Sequence, residues 1–127
     1  MSRILDTLRY SKDHEWVRIE GEKAYVGITD YAQDELGEIV FVELPPIGER
    51  YKKDEEISSV ESVKAASPII NPIEGVVLEA NEDLDGSPEL INEDCYANHL
   101  YVLGSFSQED YDSMMDGNEY KTYLASL

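Results

Sequence analysis

Short segments of alternating apolar and polar residues dominate the first two thirds of the chain. Residues 15–20 (EWVRIE) and 23–28 (KAYVGI) are separated by two residues, Gly and Glu. Two alternating runs joined by so short a turn are typical of an antiparallel hairpin. The hairpin is predicted to pack with Trp16, Val17, Tyr25 and Val26.

Five further segments have strand patterns, at residues 38–44, 56–63, 68–73, 75–81 and 100–106. Proline near both ends of 68–73 predicts an edge or bulged strand, because proline cannot donate to a central ladder. The four residues KAAS (64–67) would connect this strand to the preceding one. Lys64 is therefore predicted to lie at the tip of a protruding hairpin.

Helices are predicted in two places. In residues 29–37 (TDYAQDELG), Asp30 and Gln33 have capping-box spacing, and Gly37 suits the position that ends a helix. The tail from about residue 107 to 127 changes to helical spacing, with Ser107 as the N-cap. Its apolar residues are predicted to pack on a sheet rather than bind a partner: Tyr111, Met114, Met115, Tyr120, Tyr123, Leu124 and Leu127.

The 127 residues fit a single domain, 1–127. Residues 37–55 and 75–94 form a weak repeat of glycine, apolar strand, turn and acidic segment. We therefore predict a mainly β fold, in which two similar small sheets form a sandwich-like barrel. A short helix follows the first hairpin, and helices lie at the C-terminus.

Composition narrows the classes of partner. The formal net charge of −18 argues against nucleic acid, whose binding needs clustered Lys and Arg, and against anionic membrane surfaces. No apolar run approaches the roughly 20 residues of a membrane-spanning helix. The first residues lack the apolar core of a signal peptide, and the single cysteine cannot form an intrachain disulfide. We expect a cytoplasmic monomer, or an organellar matrix protein if a transit peptide has been removed.

Side chains that could carry chemistry are few. Two histidines and one cysteine are too few for a metal site. Cys95 and His99 could form a nucleophile and base pair, but no orienting motif accompanies them, so a buried or loop cysteine is the preferred interpretation. No phosphate loop, GxGxxG or GxSxG motif is present. No catalytic residue is predicted, and the chain is not expected to be an enzyme.

Lys64 is the exception. It is the only Lys or Arg between Lys53 and Lys121, a span with seventeen Asp and Glu residues. An arbitrary lysine is a solvated surface charge. Here small residues follow the lysine on a stiff hairpin, which would present its amine to a modifying enzyme. Acylation would remove the only cation of the region.

The segment Glu61-Ser62-Val63-Lys64-Ala65 resembles the lipoyl-attachment segment of the glycine cleavage system H-protein family. Further blocks are similar to that family in order and spacing: the Tyr-xxx-His-Glu-Trp of residues 10–16, GITDYAQDELGEIVFVELPPIG (27–48), PELIN (88–92) and the tyrosine-rich C-terminal helices. Biotin carriers are similar in fold, but their lysine typically lies between two methionines. The resemblance implies a barrel-sandwich hybrid of the lipoyl and biotinyl type.

The resemblance also implies a cofactor and partners. Lipoic acid would be attached to Lys64 at the tip of a lipoyl hairpin spanning about residues 56–73, with Glu61, Ser62, Val63 and Ala65 as the recognition context. The lipoyl arm would carry an aminomethyl group from a pyridoxal-phosphate glycine decarboxylase to a folate-dependent aminomethyltransferase. Dihydrolipoyl dehydrogenase would reoxidise the dithiol, and a lipoate ligase or lipoyltransferase would attach the cofactor.

Between visits to these enzymes, a cleft near the His-Glu-Trp motif would hold the amine of the adduct. The resemblance points to Asp13, His14 and Glu15, whereas the alternative for His14 and Glu15 is an ordinary strand start beside a core tryptophan. Two departures from the family stand out: Pro68 occupies a position where the family usually carries an acid, and residues 94–100 lack the usual Pro, Gly and Trp. Two alternatives therefore remain, an H-like paralogue that relays lipoate to other proteins and an adaptor that is never lipoylated.

Overall fold

The computed structural model describes residues 2–127. Its strands are β1 (Arg9–Tyr10), β2 (Glu15–Glu20), β3 (Lys23–Ile28), β4 (Ile39–Glu43), β5 (Arg50–Tyr51), β6 (Glu56–Ser62), β7 (Ala66–Ile70), β8 (Gly75–Ala80) and β9 (Tyr101–Gly104). Its helices are α1 (Asp30–Leu36), α2 (Asp83–Gly86), α3 (Leu90–Glu93), α4 (Gln108–Asp112) and α5 (Gly117–Ala125). Within residues 2–127, no helix has the length and apolar character needed to cross a membrane.

The strands form two antiparallel sheets, which confirms the mainly β prediction. One sheet has six strands in the order β1-β2-β3-β9-β8-β5, and the other has three in the order β4-β6-β7. The sheets differ in size because β1, β2 and β3 extend the sheet that contains β8 and β9. The strands of the weak repeat, β4 and β8, lie in different sheets.

The first predicted hairpin has the bounds that the sequence indicates. Glu15 pairs with Ile28 and Glu20 with Lys23, and the chain turns at Gly21, whose φ is 61°. Trp16, on β2, is fully buried and donates from Nε1 to the carbonyl of Cys95 at 3.1 Å. This bond ties the hairpin to the segment after α3.

The predicted start of α1 is wrong by one residue. Thr29, not Asp30, is the N-cap: its backbone is extended and its hydroxyl accepts from the Ala32 N–H at 3.3 Å. Asp30 lies inside the first turn, where its carboxylate accepts from Gln33 Nε2 at 2.9 Å. Gly37 follows the helix with φ 78°, a conformation that glycine adopts readily, so the predicted end of the helix is confirmed.

The C-terminal segment packs on the larger sheet. Ser107 caps α4 as predicted, and Asp116 and Glu119 form a capping box that begins α5. The buried ring of Tyr120 stacks on that of Tyr10 at 4.5 Å between centroids. Leu127 is a correction, because α5 ends at Ala125 and the Leu127 side chain is 63% exposed.

Candidate functional site

Three residues, 63–65, form the tip between β6 and β7. The predicted connection, 64–67, is wrong because β7 begins at Ala66, which pairs with Glu61. β7 also ends earlier than predicted, at Ile70. It lies at the edge of the three-stranded sheet, as the prolines predicted.

Ser62 organises the tip through its hydroxyl. Its Oγ accepts from the backbone N–H of Lys64 at 3.3 Å and of Ala65 at 3.1 Å, and it donates to the Ala65 carbonyl at 3.2 Å. The Ser62 N–H donates to the same carbonyl at 2.7 Å. These bonds satisfy the backbone of a very short turn and fix its shape.

The Lys64 side chain is exposed to solvent at this turn. Four ion pairs join side chains among residues 2–127, and Lys64 belongs to none of them. Its neighbours Glu61, Val63 and Ala65 are also exposed, and Val63 is 66% exposed. The predicted lysine, with its context residues, is therefore presented as an accessible amine.

The tip rests on the segment that connects α1 to β4. The Val63 N–H donates to the Glu38 carbonyl at 3.0 Å. Gly37 lies beneath the lysine: a Cβ built on it would be 3.5 Å from Lys64 Cε and 3.9 Å from Nζ. Sequence reasoning missed these supports, since Gly37 is visible in the sequence only as the end of a helix.

Glu15, at the start of β2, is 1% exposed, and an oxygen of its carboxyl group accepts from Ser11 Oγ at 2.6 Å. Burial raises the pKa of Glu15 to about 8, and the hydrogen bond from Ser11 only partly offsets this. The backbone of Ile70 lies near the Glu15 carboxyl group and also acts to lower its pKa. Ala66 and Ile70 mark the two ends of β7, so at about 3.3 Å per residue the Ile70 end of the strand lies roughly 13 Å from the end at the tip.

His14 directs its ring toward the C-terminal helix. Its Nδ1 lies 2.9 Å from Tyr120 Oη, and its ring centroid lies 4.5 Å from that of Tyr31. Burial lowers the pKa of His14. Asp13 is exposed and lines a surface depression of about 350 Å³ with Ser11 and other residues. The three predicted cleft residues are consecutive in sequence, but their side chains have different surroundings.

Cys95 and His99 lie in irregular structure after α3, and no hydrogen bond joins their side chains among residues 2–127. Burial raises the pKa of the Cys95 thiol to about 12, so it is not ionised at neutral pH. The ring of His99 instead packs edge-on against Tyr25, at 5.0 Å between centroids. The buried-cysteine interpretation fits this geometry.

Comparisons with known proteins show the family to which the chain belongs. Residues 8–127 match the family model described as glycine cleavage H-protein. The chain belongs to the glycine cleavage H-protein family. Glycine cleavage system H proteins of Alkaliphilus oremlandii and Bacillus subtilis are each 50% identical to it, over 116 and 115 residues, and about nine tenths of each chain is covered.

A solved structure extends the likeness to the fold. The crystal structure of a glycine cleavage system H protein from Mycobacterium marinum superposes with a TM-score of 0.86 at 32% identity. The match covers 98% of this chain and 100% of that one. The predicted family and the barrel-sandwich fold are therefore confirmed.

Proposed function

We propose that this chain is the lipoyl carrier of a glycine cleavage system, with lipoic acid in amide linkage to Nζ of Lys64. The observation that carries the proposal is the presentation of Lys64. Its amine is exposed, forms no ion pair within residues 2–127, and projects from a three-residue tip that Ser62 holds in shape. The chain itself is a carrier subunit and not an enzyme.

The residues of the tip fit an acylated lysine. Amide formation needs an amine that an active site can surround, and the lysine's neighbours in the turn, Val63 and Ala65, are exposed and carry no charge. The acyl group would replace the positive charge of Lys64 with a neutral amide. The tip would then carry no cation that could pair with the surrounding carboxylates.

Lipoate, when bound, supplies a disulfide that accepts a carbon fragment and is reduced to a dithiol. The chain provides a fixed attachment point for the mobile lipoyl arm. Tethering raises the local concentration of the lipoyl group at a docked enzyme. The proposed partners are a pyridoxal-phosphate glycine decarboxylase, a folate-dependent aminomethyltransferase, dihydrolipoyl dehydrogenase and a lipoate ligase or lipoyltransferase. The proposed compartment is the cytoplasm.

Glu15 is the residue best suited to hold an amine at the far end of the arm, with Asp13 at the exposed rim. The Glu15 carboxyl keeps its proton at neutral pH because its pKa is about 8. A nearby ammonium group would stabilise the carboxylate, so Glu15 would release the proton and accept a hydrogen bond from the cation. His14 would position Glu15 through its anchor on Tyr120.

Pro68 supports a second candidate function. It lies exposed on β7, between the tip and Ile70, where the family usually has an acid. Proline contributes no carboxylate to an amine-holding cleft. A relay that passes lipoate to other lipoylated proteins would need Lys64 but not that cleft.

Isotope exchange tests the carrier function against the relay. The lipoylated protein would be mixed with glycine decarboxylase, glycine and labelled bicarbonate, with the unlipoylated Lys64→Arg variant as the control. A carrier gives label in glycine with the lipoylated protein and none with the variant. No exchange with fully lipoylated protein would contradict the carrier function and favour the relay.

A further inference from the structure

Asn92, on α3, hydrogen-bonds the segment between α1 and β4 on which the Lys64 tip rests. It lies in the PELIN segment, on α3, and its half-buried side chain points at the segment between α1 and β4. Asn92 Nδ2 donates to the Gly37 carbonyl at 2.8 Å and to Gln33 Oε1 at 2.9 Å. Asn92 Oδ1 accepts from the Ile39 N–H at 2.9 Å. One side chain thus makes three hydrogen bonds to residues that precede it by 53 or more positions.

Two of these groups belong to peptide units that meet at Glu38. The N–H of Ile39 and the C=O of Glu38 are parts of one planar peptide group and point in opposite directions. Asn92 binds the N–H, and the C=O accepts from the Val63 N–H at 3.0 Å. A continuous chain of hydrogen bonds therefore runs from Asn92 through one peptide plane to the tip.

The hydrogen bond from Asn92 Nδ2 to the Gly37 carbonyl fixes the peptide plane between Gly37 and Glu38. The Gly37 carbonyl belongs to the peptide unit before Glu38, and Asn92 binds it. Gly37 also lies directly under the Lys64 side chain. Its φ of 78° and ψ of −150° lie outside the regions favoured by other residues, so a residue with a side chain would be strained at this position.

We propose that Asn92 is a positioning residue for the acylation of Lys64. It sets the orientation of the Glu38 carbonyl and of Gly37, and through them the height and direction of the lysine amine. The proposal rests on the proposed function, because it concerns how readily Lys64 is presented to a lipoate ligase. Displacement of a reacting group by about 1 Å can cost up to about a hundredfold in rate.

Asn98 provides a matched control. Its half-buried side chain also hydrogen-bonds α3 and its C-cap, with Nδ2 donating to the Leu90 carbonyl at 3.0 Å and the Asp94 carbonyl at 2.9 Å. Neither bond reaches residues 37–39 or the tip. A purely structural role predicts similar consequences for Asn92→Asp and Asn98→Asp, because each loses two amide donations to neighbouring oxygen atoms.

The test compares wild type, Asn92→Asp and Asn98→Asp. Lipoate, ATP and a lipoate ligase are added, and initial rates from intact mass give kcat and KM for the protein substrate. Amide hydrogen exchange, followed by NMR, reports on the Val63 N–H. Melting temperatures measure the structural loss in each variant.

Asn92→Asp keeps an oxygen that can accept from the Ile39 N–H, but it sets a second carboxylate oxygen against the Gly37 carbonyl and Gln33 Oε1, and this repulsion displaces the peptide units on either side of Glu38. We expect the variant to lower kcat about tenfold or more, with KM changed less than about twofold, and to accelerate exchange of the Val63 N–H. Asn98→Asp should leave both kcat and the exchange of the Val63 N–H unchanged. Equal kcat values for the two variants, or unchanged Val63 exchange in Asn92→Asp, would overturn the proposal.

Two further outcomes are also decisive. If Asn92→Asp does not fold, Asn92→Ser replaces it, and failure of both to fold would assign Asn92 to stability alone and overturn the proposal. If wild type is not acylated, the proposed function has failed. The Val63 exchange comparison then still decides whether Asn92 holds the tip.

Discussion

At the scale of single residues, Glu15 and Lys64 have opposite surroundings. Lys64 is exposed, whereas Glu15 is 1% exposed and has no cation within salt-bridge distance among residues 2–127. A buried carboxyl without a counter-charge favours its neutral form. Glu15 therefore makes folding depend on pH in a direction unlike that of most carboxyl groups.

The pKa of Glu15 rises from its usual 4.5 to about 8 on folding. Between these values, the folded protein keeps a proton that the unfolded chain has released. The free energy of unfolding therefore falls as pH rises through this window, by about 1.4 kcal/mol for each unit of pKa shift. Glu15→Gln mimics the neutral form, so we expect it to be more stable than wild type by about 4 kcal/mol at pH 8 and by less than about 1 kcal/mol at pH 5.

Urea unfolding of both proteins at pH 5 and pH 8 checks this expectation. Glu22→Gln is the control, because Glu22 is exposed in the turn between β2 and β3. A Glu15→Gln variant that is less stable than wild type at pH 8 would show that Glu15 is ionised in the fold.

At the scale of elements, the hairpin of β2 and β3 depends on a close contact between Gly27 and the ring of Trp16. Gly27, on β3, pairs directly with Trp16, and a Cβ built on Gly27 would lie 2.6 Å from the Trp16 ring. The ring cannot move freely, because it is fully buried and bonded to the Cys95 carbonyl.

Gly27→Ala is expected to lower the free energy of unfolding by about 3 kcal/mol, because overpacking forces the indole from its site. The control is Gly86→Ala in α2, where the added Cβ meets no atom within 4 Å. Thermal unfolding of both variants measures the difference. Equal melting temperatures for Gly27→Ala and wild type would mean that the hairpin adapts to the methyl group.

The same hairpin shows what local sequence can predict. Its bounds follow from alternation and a two-residue turn, both of which lie within fourteen consecutive residues. The helices α2 and α3 have four residues each, too few to show a helical period, and they were not predicted. The start of α1 was misplaced because Thr29 and Asp30 are both capable N-caps and tertiary contacts select between them.

The candidate site likewise has a part that local sequence predicts and a part that only the fold brings together. The position of Lys64 at a hairpin tip could be predicted, because the two strands and their short connection are continuous in sequence. The segment beneath it could not, since Gly37 and Glu38 reach the tip across about 25 residues of chain. Asn92 is farther still, and only the fold brings its amide to that segment.

At the scale of the whole molecule, excess negative charge is the main electrostatic feature. The four ion pairs among residues 2–127 all involve side chains at least 35% exposed, and such pairs contribute little to stability. With a formal net charge of −18, repulsion among the remaining carboxylates opposes the compact state.

Screening should therefore stabilise the protein. We expect the melting temperature at pH 7 to rise by a few degrees between about 0.01 and 0.2 M NaCl, as the Debye length falls below about 10 Å. Potassium chloride at the same ionic strength is the control for a specific effect of sodium. A melting temperature that falls with salt would mean that attractive pairs outweigh the repulsion.

The central claim is that Lys64 carries the lipoyl group, and intact mass tests it most directly. Wild type, Lys64→Arg and Lys121→Arg would be incubated with lipoate, ATP and a lipoate ligase, because Lys121 is also exposed. We predict one lipoyl addition to wild type and to Lys121→Arg, and none to Lys64→Arg. No addition to wild type, or an addition that persists in Lys64→Arg, would contradict the claim.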